Sequence, residues 1–414
     1  MSPDSKSLAL GDFEAAQLIV AKVAVNTPLL ASNYLSEITG QEVILKLENV
    51  QRTGAYKLRG AFHMMSKLTQ VERKAGVVAA SAGNHAQGVA LAAKKLGIKA
   101  TIFMPVGASL PKFQATKNYG ADVVLTGAIF DETLVAAKEF AAQTGATFVP
   151  PFDHREIILG QGTVALEILQ ADPTVKNILV CLGGGGLTAG VAAAAKLWAE
   201  QNGRKLKVYA VQSANAAAYP PSLRAGKPVE IKVQPTIADG IAVAKPGRIP
   251  FEYIKRYVDR VVTVTEDEIA KAMVMLLERS KQVVEAGGAV GVAALMAGRV
   301  KPRGKTAVIL SGGNIDPLLL QRVIRHGLAA SDRYTNISVM LPDRPGQLVR
   351  TAEAIAEAQA NVIEVLHTRH GNGLQISEVE LNLSVETRGR EHRDEVLKSL
   401  RAAGLKPRMN QDRD

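Results

Sequence analysis

The sequence predicts an α/β protein built on parallel sheets and closed by a small α+β module of ferredoxin-like order. Three observations carry this. Short apolar runs alternate with helix-length segments through most of the 414 residues, which calls for parallel strands covered on both faces. Two of the apolar runs, 178–182 and 308–310, end in glycine turns. The composition then shifts near Ala329-Ala330-Ser331-Asp332-Arg333, beyond which apolar and polar residues alternate as in half-buried strands.

In chain order, a short helix-like piece precedes an apolar strand at 42–47. Residues 61–68 read as a helix, 77–80 as a strand, 85–96 as a helix and 101–104 as a strand. A helix at 112–119, a strand at 123–125 and a helix at 133–144 continue the alternation, which resumes from Thr163. A buried strand at 178–182 leads through glycines to an Ala-rich helix at 188–200, and 208–211 is the next strand. In the last module Ile337, Val339 and Leu341 alternate, and Leu348, Ala352, Ile355 and Ala356 form a helical stripe. Residues 362–368 read as a strand, Val379, Leu381, Leu383 and Val385 alternate cleanly, and Val396, Leu397 and Leu400 mark a second helix. At most a short strand near 406–409 follows. This order is a ferredoxin-like half-sandwich.

The chain is long enough for two to three domains with ample core. Its 47% hydrophobic and 4% aromatic content is that of a soluble globular protein. No apolar run reaches spanning length, and residues 1–11 lack the charged-then-apolar order of a signal peptide, so a cytoplasmic location is expected. The single cysteine, Cys181, cannot form an internal disulfide and sits in a buried-strand pattern, so it reads as core. Net charge is +11; from Arg333 onward twelve basic residues balance twelve acidic ones, so the excess lies in the first 332 residues. The basic residues there are scattered without an aromatic-interleaved patch, which argues against nucleic acid as partner. An anionic cofactor and anionic substrates would be a milder reason for the excess.

Lys57 lies in Gln51-Arg52-Thr53-Gly54-Ala55-Tyr56-Lys57-Leu58-Arg59-Gly60-Ala61, behind an aromatic residue and a small-residue turn. Such framing suits an amine that must be fixed and partly desolvated to attack a carbonyl. Gly183, Gly184, Gly185 and Gly186 join a buried strand to a helix, leaving backbone N–H groups unshielded at a positive helix end; that is a phosphate cradle. A dinucleotide fingerprint fits Gly184, Gly186 and Ala189 loosely, but the next strand ends in Gln212-Ser213 instead of the acidic residue that would hold a ribose. The third segment, Ser311-Gly312-Gly313-Asn314, presents a serine hydroxyl at another strand end.

In this order the three segments resemble the pyridoxal-phosphate enzymes of fold type II, and most closely the threonine ammonia-lyase family, over roughly residues 10–328. Ser81-Ala82-Gly83-Asn84-His85-Ala86-Gln87-Gly88 is similar to the family's carboxylate and ring-oxygen loop. Pro151-Phe152-Asp153 with Gly160-Gln161-Gly162-Thr163 is similar to its inter-domain stretch, and Thr236-Ile237-Ala238-Asp239-Gly240-Ile241-Ala242-Val243 to its active-site rim. The resemblance implies a two-domain catalytic part, with a large domain from 1–54 and 151–328 and a small one from 55–150. It implies pyridoxal 5′-phosphate as cofactor, bound as an imine by Lys57, which would also move the substrate α-proton. Tyr56, where the family usually has Phe, would lie against the pyridine ring, and Ala55 stands where Ser is commoner. Asn84 would reach the ring oxygen; Gly183, Gly184, Gly185 and Gly186, with Leu187, would hold the phosphate; Ser311 would face the ring nitrogen. Ser81, Ala82, Gly83, Asn84 and His85 would bind the substrate carboxylate. A neutral serine at the ring nitrogen makes a weaker electron sink than a carboxylate would, which suits β-elimination and not transamination.

Related serine racemases carry a second acid/base serine just before the Gly-Asn-His of the loop. Here that residue is Ala82, and a methyl group transfers no proton. The racemase metal ligands would fall at Gln212 and Ala218, neither acidic, so no metal is expected. Glu285 either borders the site or caps a helix start. After a linker at 329–335, residues 336–414 resemble an ACT domain, with Leu341-Pro342-Asp343-Arg344-Pro345-Gly346 at the first strand-to-helix turn. Asp343, Arg344, Gly346 and Asn361 would then form an amino-acid effector site at a subunit interface, in a homodimer or homotetramer. The expected activity is β-elimination of water from a hydroxy amino acid, threonine foremost. A serine or 3-hydroxyaspartate dehydratase, a racemase and a non-catalytic amino-acid sensor stay open on the sequence.

Overall fold

The computed structural model describes residues 8–369 and 374–409. Residues 1–7 of the stretch read for a leader, and 410–414 of the last module, lie outside the described residues. The chain forms two compact units, one up to residue 319 and one from 320. The division falls inside the helix Pro317–Ala329, and the composition shift marks where that helix ends.

In the first unit a helix, Leu10–Val20, leads to β1 (Leu29–Ala31) and β2 (Val43–Lys46), and the chain then leaves to build β3 (Val77–Ala80), β4 (Ala100–Met104), β5 (Asp122–Leu125) and β6 (Thr147–Phe148). It returns through β7 (Asn177–Cys181), β8 (Lys207–Ser213), β9 (Arg260–Val264) and β10 (Thr306–Ile309). The larger sheet has the order β1-β2-β10-β7-β8-β9, parallel except for the β1 edge, and the smaller has the parallel order β5-β4-β3-β6. Every residue of β2, β3, β4, β7 and β10 is buried. This is why their apolar runs are continuous: helices cover both faces. Among the described residues no helix is long and apolar enough to cross a membrane.

One element departs from expectation. The helix expected at 61–68 is Lys57–Ser66, so the lysine is its first residue. Buried Leu58, Ala61, Phe62 and Met65 supply the helical stripe, and Gly60 serves packing. A Cβ at Gly60 would lie 2.9 Å from the Ile157 carbonyl, and one at Gly160 2.7 Å from that of Arg59. The helices Lys57–Ser66 and Arg155–Ala171 therefore cross with their backbones in near contact.

The second unit holds β11 (Tyr334–Pro342), β12 (Asn361–Thr368), β13 (Glu378–Glu386) and β14 (Pro407–Met409), an antiparallel sheet of order β12-β13-β11-β14. Ile337, Val339, Leu341, Val379, Leu381, Leu383 and Val385 face a core shared with Val396, Leu397 and Leu400, so the ferredoxin-like order holds. The stripe expected on the first helix is misplaced. Gln347–Glu357 buries Thr351, Ala354 and Ile355, while Leu348, Ala352 and Ala356 are exposed. Alanine marks a buried face weakly, and Thr351 is admitted because its hydroxyl donates to the Gln347 carbonyl at 2.9 Å.

Candidate active site

The lysine turn is stitched to the serine turn. Ala55 bridges Gly312, and Tyr56 N–H donates to the Ser311 carbonyl at 3.1 Å. Gly54 makes this approach with φ +68°, and any side chain there would overlap the Asn314 amide. Lys57 Nζ donates to the Pro151 carbonyl at 2.9 Å and lies 5.3 Å from the Tyr56 ring centroid. Burial lowers its ammonium to about 8, against opposing pulls from Cys181 and Glu285. At pH 7.5 roughly a quarter of such amines are neutral, against about one in a thousand for an ordinary lysine. The rate at which the cofactor-free protein forms an imine with added aldehyde should therefore climb to about pH 8 and flatten. A rate still rising tenfold per unit above that would contradict this account.

Two residues past the lysine, Arg59 is fully buried in an ionic quartet that sequence reading missed. Its Nε and Nη2 donate to Glu48 at 2.8 and 2.7 Å, its Nη1 to Glu167 at 2.6 Å, and Lys46 Nζ donates to Glu167 at 2.6 Å. Two cations meet two carboxylates, and β2, the lysine helix and the helix Arg155–Ala171 are tied at one point.

At the glycine turn the walls leave no room for side chains. A Cβ on Gly184 would strike the Phe152 ring, and one on Gly186 would lie 2.9 Å from Phe152 Cα. Gly185 has φ +105°, and a Cβ there would strike the Tyr219 hydroxyl. The Gly184 carbonyl is held by Tyr219 Oη and by Gly247 N–H, both at 3.1 Å. Among the described residues, the amides from Gly183 to Thr188 find no protein acceptor, and Gly186 opens the helix Gly186–Gln201. Leu187 is buried behind them. A row of unpaired donors at a positive helix end, kept clear by glycine, fits a phosphate.

The loop Ser81-Ala82-Gly83 is half-buried between β3 and the helix Asn84–Leu96, and Gly83 N–H donates to Ser81 Oγ at 3.1 Å. The His85 side chain turns away from the loop: its Nε2 lies 2.8 Å from the Val149 carbonyl. Burial, with Lys57 nearby, depresses it to about 3, so it is neutral. Its place in the loop is thus a backbone one. Buried Ser311 accepts a thiol hydrogen from Cys181 at 3.4 Å, and burial pushes that thiol up to about 11. Cys181 is core, as expected, yet it touches the serine. At the position compared with racemase metal ligands, Gln212 spends its side chain on the Tyr219 and Ala216 backbone.

Within the second unit, Asp343, Arg344 and Gly346 follow β11, with Gly346 at φ +89° before the helix. Asn361 opens β12 opposite Glu386, the residue that also pairs with Tyr334 at the start of β11. The two groups therefore sit at opposite ends of the sheet, roughly 25 Å apart at about 3.3 Å per residue. One copy of the chain does not bring them together.

Comparison with known proteins agrees with this geometry. Residues 20–312 match the family described as pyridoxal-phosphate dependent enzyme, and 335–405 match the ACT domain. The chain is 45% identical to the L-threonine ammonia-lyase of Thermotoga maritima, over 97% of this chain and 99% of that protein. Among solved structures it resembles processed threonine deaminase isoform 2 of Solanum lycopersicum, with TM-score 0.72 and 36% identity over 77% of this chain and 93% of that one. It also resembles maize serine racemase, with TM-score 0.73 and 33% identity over 78% and 99%. The chain belongs to the threonine ammonia-lyase family of pyridoxal-phosphate-dependent enzymes and carries a C-terminal ACT domain.

Proposed function

We propose that the protein deaminates L-threonine to 2-oxobutanoate and ammonia by β-elimination of water, in the cytoplasm. The observation that carries this reading is a low-pKa Lys57 amine stitched beside a neutral Ser311, with an unpaired amide cradle in the same unit. Pyridoxal phosphate, when bound, supplies the electron-withdrawing ring that lets the α-proton leave. The amides of Gly183 to Leu187 hold its phosphate, Tyr56 lies beside its ring, Asn84 meets its ring oxygen and Ser311 its ring nitrogen. Ser81, Ala82 and Gly83, with the amides of Asn84 and His85, which find no acceptor among the described residues at the helix start, hold the substrate carboxylate. Lys57 takes the α-proton, and the Pro151 carbonyl gives its ammonium a partner.

Ala82 makes this proton chemistry one-sided, which favours elimination over racemisation. Ala82→Ser should raise the ratio of D-serine to pyruvate formed from L-serine by about tenfold or more, since a placed acid/base group contributes 10²–10⁴. An unchanged ratio would count against the assignment. The reading as a whole is tested by 2-oxobutanoate formation from L-threonine by purified protein supplied with pyridoxal phosphate. Product from serine or 3-hydroxyaspartate alone would move the substrate.

An amino-acid effector, isoleucine or valine, is proposed for the ACT domain. Because Asp343, Arg344 and Gly346 lie far from Asn361 within one copy, a site using all four needs two copies, which favours a homodimer or homotetramer. Kinetics unmoved by millimolar branched-chain amino acids would remove this regulation.

A further inference from the structure

Glu285 precedes the helix Ala286–Met296, but its side chain makes no cap bond. Instead both carboxylate oxygens accept from Asn84 Nδ2, at 2.8 and 3.0 Å. Its own N–H donates to the Gly312 carbonyl at 3.0 Å, and a Cβ at Gly312 would overlap its carboxylate. The residue after Ser311 is thus glycine where the carboxylate needs the space. On the other side, Asn84 Oδ1 accepts from Asn314 Nδ2 at 2.8 Å, and that nitrogen also donates to the Thr53 carbonyl at 2.6 Å.

This chain has one consistent direction. The Thr53 carbonyl can only accept, so Asn314 presents nitrogen; Asn84 must then answer with oxygen, and its nitrogen faces Glu285. One N–H can be shared by the two carboxylate oxygens, which leaves the second for an acceptor in the cleft. We propose that Glu285 is a positioning residue that locks the Asn84 amide nitrogen toward the cleft, so that Asn84 donates to the cofactor's ring oxygen. The proposal rests on the reading of Asn84 given above. Without the carboxylate only the Asn314 contact still orients the amide, and a turned amide would set its oxygen against the ring oxygen.

The charged groups around Glu285 are Asp239, Lys112 and Lys57. Burial raises its carboxyl to about 7, opposed first by the Asn84 hydrogen bond; Asp239 raises it further, and Lys112 and Lys57 lower it. Lys112 and Asp239 are themselves paired at 3.2 Å.

The test is a thermodynamic cycle on cofactor affinity, read by titrating cofactor-free protein with pyridoxal phosphate and following the visible band. Glu285→Ala and Asn84→Ala should each raise Kd about tenfold, and the double variant should be no weaker than Asn84→Ala alone, because coupled residues are not additive. Glu285→Gln keeps an accepting oxygen and should stay within about twofold of wild type, while the pH midpoint of the band moves because the charge is gone. It also controls for folding. A Glu285→Ala effect that persists in full in the Asn84→Ala background, or no effect at all, overturns the proposal. Absence of a visible band in the wild type would sink the cofactor roles instead.

Discussion

Lys57→Ala will lower 2-oxobutanoate formation by at least ~10³-fold, because in the proposed reaction it removes the amine that would both secure the cofactor and take the α-proton. The loss should fall on kcat and not on KM alone, since the substrate carboxylate loop is untouched. The variant should stay folded. Lys57 is the first residue of its helix, it is only half-buried, and among the described residues its amine makes one hydrogen bond, to Pro151. Removing it also lifts a desolvated charge, so thermal stability of the cofactor-free protein should not fall. Turnover within tenfold of wild type would end the assignment of this lysine.

Arg59→Met should destabilise the cofactor-free protein by about 3–5 kcal/mol, the usual cost of breaking a buried ion pair by removing one partner. Glu48 has no exposed surface, and Arg59 is its principal partner. Burial pushes the Glu48 carboxyl up, and Arg59, aided by Lys46 and Thr27, more than reverses this and holds it below the ordinary range. A depressed carboxyl gives stability that is full above its unfolded value and is lost as pH falls through the folded one. In Arg59→Met the sign inverts. The unpaired carboxyl would be raised, and protonating it would relieve the variant. The gap between wild type and variant should therefore shrink from pH 7 toward pH 4. Urea unfolding across that range checks it; a gap that widens would mean that the unpaired Glu48 carboxyl is not the source of the loss.

Much of the site was legible because its chemistry needs residues that leave a trace. Glycines that must be glycine, a lysine behind a turn and buried strands that are mostly apolar are written in the sequence, as is the alternation of β13. The quartet was not, because Lys46, Glu48, Arg59 and Glu167 look like solvated charges until distant elements meet. Gly60 hid the start of the lysine helix, since packing against Ile157 and Gln161 overrides its poor propensity. The role of Glu285 depends on Asn84 and Asn314, which no local pattern joins to it. Strand order, with β2 next to β10, has no local signature at all.

That neighbourhood shapes how the protein is made. Thr53 and Asn314, 261 positions apart, share a hydrogen bond, and Thr306 lies beside Val43 in the sheet. Contacts this distant in the chain raise contact order and slow folding. During synthesis the lysine turn emerges early but waits for the serine turn until some 250 more residues have been added. Cofactor capture is then a late event that reports a completed fold, and chains cut short before β10 should never acquire the visible colour of the holoenzyme.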